Sequence, residues 1–169
     1  MIIKYTNFSD GIHTFKMAKS AQKLGLEDMF FGDVEVDIKM DKSIHQIVLD
    51  CDLLVHTKIE CDRCTEEIEK EYHNHFLLSY LFSKKPEQTD DLNLKILSLD
   101  QDKIDISKDV FEYAELSLPL KKLCKEDCKG LCPKCGKNLN YGSCDCTIEK
   151  NNDVWAPLQQ LKEKFNNKQ

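Results

Sequence analysis

Long apolar runs are missing from this chain of 169 residues, and none approaches the roughly 20 residues that span a bilayer, so a membrane-spanning helix is not expected. The opening stretch MIIKYTNFSD lacks the apolar core and small-residue cleavage site of a secretory signal, and a cytoplasmic setting with reduced thiols is the expectation. Also absent are a glycine-rich phosphate loop, a nucleophile elbow around serine, and a metal-binding pair of histidines at helical spacing. These absences remove the usual signatures of nucleotide hydrolysis, ester hydrolysis and zinc proteolysis; neither an enzyme nor a small-molecule substrate is expected. There is a single arginine, Arg63, and the net charge of −6 argues against a surface built for indiscriminate phosphate binding. No internal repeat or low-complexity tract occurs. Hydrophobic residues at 41% and charged residues at 32% nevertheless describe a chain that can bury a core.

What is present in the first half is sustained two-residue alternation, the signature of a half-buried strand. Ile47, Leu49, Cys51, Leu53, Val55, Thr57, Ile59 and Cys61 fall on one face, opposite Asp50, Asp52, His56, Lys58 and Glu60. After CDRCTE the pattern resumes with Ile68, Tyr72, Phe76, Leu78, Tyr80 and Phe82, and a long hairpin with Cys61 and Cys64 near its tip follows. Val34, Val36, Ile38 and Met40 predict a third strand, since a hairpin alone is marginal in water. A short helix is expected over residues 22–30, a loop over 84–91 (KKPEQTDD), and a short strand near 94–97. Ile106, Val110, Phe111, Ala114 and Leu118 predict a helix closed before Pro119. Pro157, Leu158, Leu161 and Phe165 predict a last amphipathic helix, packed down by Trp155. The expected class is α+β, mostly antiparallel β-sheet with a few short helices and a C-terminal cysteine-rich zinc knuckle. The corresponding units are a sheet-rich domain over 1–118, a cysteine-rich segment over 119–150 and the helix over 151–169.

Six of the nine cysteines crowd into 23 positions, Cys124, Cys128, Cys132, Cys135, Cys144 and Cys146, with spacing C-x3-C-x3-C-x2-C-x8-C-x-C. CPKCG at the centre has the form of a zinc knuckle, two intervening residues letting both sulfurs reach one ion. Ordering such a stretch costs on the order of 1 to 2 kcal/mol per residue, yet only Leu131, Pro133, Leu139 and Tyr141 offer apolar surface. A structural zinc supplies roughly 10 to 16 kcal/mol of apparent binding free energy, so a structural Zn²⁺ is the expected cofactor. Cys132 and Cys135 form the firm half; Cys124 with Cys128, or Cys144 with Cys146, complete the set, and Cys61 with Cys64 enter if the hairpin tip comes near. CKGLCPKC also has the C-x3-C-x2-C spacing of radical-enzyme iron–sulfur clusters, but the chain is too short for their barrel. Disulfides fit poorly with an odd cysteine count. Cys51, on the oily strand face, reads as a core residue. His56, His73 and His75 read as solvated strand residues; His73 lies nine residues past Cys64, about 30 Å along a strand. A redox role for the Cys61/Cys64 pair, that of a thiol-disulfide oxidoreductase, is the alternative, but strand on both sides denies it the helix N-terminus that activates such thiols.

Several pieces together resemble the YceD-type large ribosomal RNA subunit accumulation proteins of bacteria and chloroplasts. CDRC after a long strand resembles that family's C-x-R-C element, DKIDISKDVFEYAELSLPL its helix ending in L-P, and LCKEDCKGLCPKCGKNLNYGSCDC the cysteine-rich extension many members carry. WAPLQQL resembles the closing segment, although NNDV stands where relatives often have D-P-R. The resemblance implies a non-enzymatic ribosome-assembly factor whose partner is large-subunit ribosomal RNA or an assembly-factor protein. A protein-binding zinc module is the variant of this reading in which no RNA is touched. Lys121, Lys122, Lys125, Lys129, Lys134 and Lys137 oppose only Glu126 and Asp127 over residues 121–137, a local charge of +4. Lys129, Lys134, Lys137 and Arg63 are the candidate partner contacts, Arg63 serving either a phosphate or carboxylate contact or simply the hairpin turn.

Overall fold

The computed structural model describes residues 1–83, 94–147 and 158. Five strands build one sheet in the order β2 (Gly11–Ser20), β3 (Phe30–Lys42), β4 (Gln46–Glu60), β5 (Glu67–Ser83) and β6 (Leu94–Ser98). All neighbours are antiparallel except β5 and β6, which run parallel. The two-residue strands β1 (Ile2–Ile3) and β7 (Ile104–Asp105) pair separately beside the helix α2 (Ser107–Leu116).

Register follows from the alternation, because a slip of one residue would turn every apolar side chain to water. Val36 faces Leu53, Ile38 faces Cys51 and Met40 faces Leu49; across the next ladder Cys51 faces Phe76, Leu49 faces Leu78 and Ile47 faces Tyr80. These residues are buried together with Val110 and Ala114 of α2 and with Met1, Ile3 and Tyr5. The Phe76 and Tyr113 rings stack with centroids 4.1 Å apart, which fixes α2 on the sheet. Asp109 is buried in this interface and takes Lys95 Nζ at 2.5 and 2.6 Å. Cys51 sits fully inside the core, where burial pushes its thiol up to about 12.

Three expectations change. The helix expected over residues 22–30 is one turn, α1 (Ala21–Leu24), capped by the Ser20 hydroxyl and closed by Gly25 at φ 87°; Phe30 already belongs to β3. Gly11–Ser20 is a strand that was not expected, its apolar residues Phe15 and Met17 only partly covered at the sheet edge. The strand near 94–97 forms as β6, but parallel to β5. The expected loop over 84–91, and Trp155 with most of the C-terminal helix, lie outside the described residues. Among the described residues no helix is long and apolar enough to cross a membrane.

The consequence for function is the length of β4 and β5. Their ladder runs without interruption from Gln46↔Leu81 to Glu60↔Glu67. At about 3.4 Å per residue it holds Cys61 and Cys64 at the far end of a stiff arm.

Candidate metal centres

The hairpin tip and the centre of the cysteine-rich segment adopt the same turn. In residues 61–66 the Cys61 amide donates to Glu66 O and the Thr65 amide to Cys61 O, both at 2.9 Å. In residues 132–137 the Cys132 amide donates to Lys137 O and the Gly136 amide to Cys132 O, again both at 2.9 Å. Thr65 at φ 56° and Gly136 at φ 72° occupy equivalent left-handed positions. Two C-x2-C pairs are thus presented by one backbone device, in which the first sulfur of each pair lies over its own turn amides.

Each pair gathers two further thiols. Cys61 and Cys64 meet Cys124 and Cys128, while Cys132 and Cys135 meet Cys144 and Cys146, with the sulfurs of each group lying within 4.8 Å of one another. All six late cysteines are therefore used, one pair in the first group and two pairs in the second, and the pair at the tip supplies the other half of the first. We call the first group the inner centre, since Cys61, Cys64 and Cys128 are buried; in the outer centre Cys135 is exposed and only Cys132 is buried. Within the inner group Cys61 Sγ lies 3.8 Å from Cys128 Sγ, and Cys64 Sγ 3.6 Å from Cys124 Sγ. A disulfide would hold sulfurs about 2.05 Å apart. A tetrahedron with bonds of about 2.3 Å has edges near 3.8 Å, so the observed spacing fits four thiolates around one metal ion.

The electrostatics agree. Burial works against ionisation of Cys61, but the Cys124, Arg63 and Cys64 amides outweigh it and bring the thiol down to about 6. The Asn140 side chain is the main cause of a lowered Cys128. The Cys135 and Lys134 amides bring Cys132 to about 6. The partners go the other way: burial and the neighbouring Cys128, Cys64 and Cys61 thiols push Cys124 up to about 12, and contact with Cys135, then burial, does the same to Cys146. Four thiols this close cannot all ionise alone, and a bound cation is what lets them.

The cysteine-rich segment is clasped to the tip by more than sulfur. The Asp62 amide donates to Lys122 O and Asp62 Oδ2 accepts from the Lys122 amide, both at 2.7 Å. Lys70 Nζ reaches Leu123 O at 2.7 Å, the Leu131 amide reaches Arg63 O at 3.0 Å, and the Tyr141 hydroxyl bonds Glu66. Arg63 Nη1 donates to Cys128 O at 2.8 Å, and Lys137 Nζ donates to Ser143 O at 2.7 Å. Of the four candidate partner contacts, Arg63 and Lys137 therefore serve the local structure, while Lys129 and Lys134 remain exposed. Neither centre includes a histidine; His75 faces Asp50 at 2.7 Å and His56 faces Glu71 at 3.5 Å on the solvated strand face.

A family described as "Large ribosomal RNA subunit accumulation protein YceD" matches residues 49–162, from near the start of β4 through both centres. The chain belongs to the YceD family. Among its relatives is the Arabidopsis thaliana "Large ribosomal RNA subunit accumulation protein YCED homolog 1, chloroplastic", 39% identical over 66 residues, which are 39% of this chain and 21% of that protein. The Zea mays homolog of the same description is 48% identical over 44 residues, 25% of this chain and 15% of that protein. An uncharacterised Mycobacterium tuberculosis protein is 24% identical over 125 residues, 71% of this chain and 59% of its own length. The chain thus spans about a fifth of the Arabidopsis relative and under two thirds of the mycobacterial one. No solved structure matches it.

Proposed function

We propose that this YceD-family chain promotes accumulation of large-subunit ribosomal RNA as an assembly factor that acts by contact rather than by catalysis. The observation that carries the structural half of this reading is the pair of tetrathiol groups at the end of the β4–β5 arm. All-sulfur sets of four suit Zn²⁺, and two structural zinc ions are the cofactors we assign. The inner ion staples the sheet to the cysteine-rich segment, and the outer ion shapes that segment's distal loop. A redox role for Cys61 and Cys64 is disfavoured because their side chains, 1% and 3% exposed, offer a disulfide substrate no access.

Two centres change the electrostatic argument for RNA. Eight thiolates around two divalent cations leave four negative charges, and the other side chains of residues 61–66 and 121–146, with Asp62, Glu66 and Asp145 set against Arg63 and the lysines, supply +2. The loaded tip and cysteine-rich segment together carry about −2, and their partner, ribosomal RNA or an assembly-factor protein, is engaged by shape and by exposed groups such as Lys129, Lys134 and the 74%-exposed Tyr141. This thiol chemistry requires a reducing compartment, and the cytoplasm is the one we propose. Depletion of the protein, followed by subunit profiles and crosslinking, tests the proposal. Loss of large-subunit ribosomal RNA and co-sedimentation with its precursors are expected; normal profiles on depletion would contradict it.

A further inference from the structure

The outer loop does not merely sit beside the inner centre. Residues 136–143 are the eight residues between Cys135 and Cys144, both outer-centre ligands, and they carry Asn140. Asn140 Nδ2 donates to Cys128 Sγ of the inner centre at 3.3 Å, while its Oδ1 accepts from the Lys129 amide at 2.9 Å. The loop is steered there by the Leu139 amide on Gly130 O at 2.9 Å, by the Leu131–Asn138 bridge, and by Asn138 Oδ1 accepting from the Asn140 amide at 3.0 Å. Few side chains cover this loop: Lys137, Tyr141, Gly142 and Ser143 are exposed. Beyond these bonds and that of the Tyr141 hydroxyl to Glu66, what closes the loop is the outer thiols at its two ends.

We infer that Asn140 is a positioning residue that makes the inner centre's grip on its ion depend on the outer centre being loaded. With the outer ion in place, the loop delivers an N–H donor to a thiolate that would otherwise lean on fewer partners. Without it the loop loses its closure, the amide leaves Cys128, and the inner ion departs faster. Hydrogen bonds from such outer partners are worth about 10-fold or more in metal hold, and linkage requires the inner ion to favour the outer one by the same factor at equilibrium.

This inference rests on the two-zinc reading above, and its test separates the two. The full chain, reduced and loaded with isotopically labelled Zn²⁺, is placed in excess unlabelled Zn²⁺, which keeps the outer site filled, and release of label is followed in time. The native chain should release one ion in each of two phases. Cys144→Ser/Cys146→Ser should hold one ion and release it about 10-fold faster than the native slow phase. Asn140→Ala should hold two ions with the slow phase accelerated by the same factor, and should add nothing in the Cys144→Ser/Cys146→Ser background. Asn140→Asp keeps an acceptor for the Lys129 amide but has no donor for the sulfur, so it should behave like Asn140→Ala; a merely structural role would leave it near native. Two ions with an unchanged slow phase in the Asn140 variants overturn the inference alone. No bound zinc in the native chain overturns both it and the reading beneath it.

Discussion

Gly130 is where the two halves of the inner centre touch, and replacing it by alanine is a sharp test of the packing. It lies at φ +73°, and a Cβ there would stand 2.9 Å from the carbonyl oxygen of Arg63 and 3.4 Å from the Arg63 Cβ. The left-handed conformation alone costs an alanine about 1 to 2 kcal/mol. The close contact is with backbone, so the Arg63 carbonyl must move, and it is the acceptor of the Leu131 amide at 3.0 Å. Loss of that bond adds about 1 kcal/mol, for a total of about 2 to 3 kcal/mol. Arg63 lies between Cys61 and Cys64 and Gly130 lies two residues beyond Cys128, so the strain falls on the inner ligand set. At about 1.4 kcal/mol per decade, inner-site zinc affinity should fall roughly 30- to 140-fold in competitive chelator titrations. Gly136→Ala is the control: at φ +72° but with nothing within 4 Å of its Cβ, it bears only the conformational cost and should weaken the outer ion about 10-fold. Native inner-site affinity in a folded Gly130→Ala protein would refute the reasoning.

Thr65→Gly should tighten the hairpin tip by about 1 kcal/mol, because Thr65 holds at φ 56° the position that Gly136 fills in the equivalent turn; the same chelator titration checks it. Tyr80→Phe should raise stability by about 1 kcal/mol, or a melting temperature by roughly 2 to 4 °C, since the Tyr80 hydroxyl is buried with no hydrogen-bond partner among the described residues. The side chain and amide of Ser107 hold the Asp105 carboxyl down to about 2 from 3.8, helped by the N-terminal ammonium at 3.1 Å. Its folded value lies below its unfolded one, so its contribution is complete above about pH 4 and is lost as pH falls toward 2. Asp105 is more than half exposed, so Asp105→Asn should cost no more than about 1 kcal/mol near pH 7, a difference that vanishes below pH 2 in acid-unfolding curves.

The long hairpin was legible because β4 and β5 alternate almost without error, and burial of one face then dictates register. β2 was not, because at the sheet edge Phe15 and Met17 are only partly covered and Ile12 is 63% exposed, so apolar and polar residues fall on both faces. The helix expected over residues 22–30 failed at Gly25, whose left-handed φ ends it after one turn. At the centre, the Cys132–Cys135 knuckle turn and the family pieces were readable locally, and the approach of the tip was foreseen as a condition. What local spacing did not reveal was the division into two centres, since Cys64 and Cys124 are brought together only by the folded arm. A signal was available: CDRCT and CPKCG are the same turn, and setting aside the core residue Cys51 leaves eight thiols, two sets of four.

The most direct measurement is metal content with X-ray absorption at the zinc edge on the reduced full chain, its Cys51→Ala variant and its Cys61→Ser/Cys64→Ser variant. The two-zinc proposal predicts two zinc ions per chain with four sulfur ligands each, two again without the Cys51 thiol, and one when the tip thiols are removed. A single ion in the native chain, oxygen or nitrogen ligands, or an unchanged pair of ions in the tip variant would contradict the stapled arm on which the account stands.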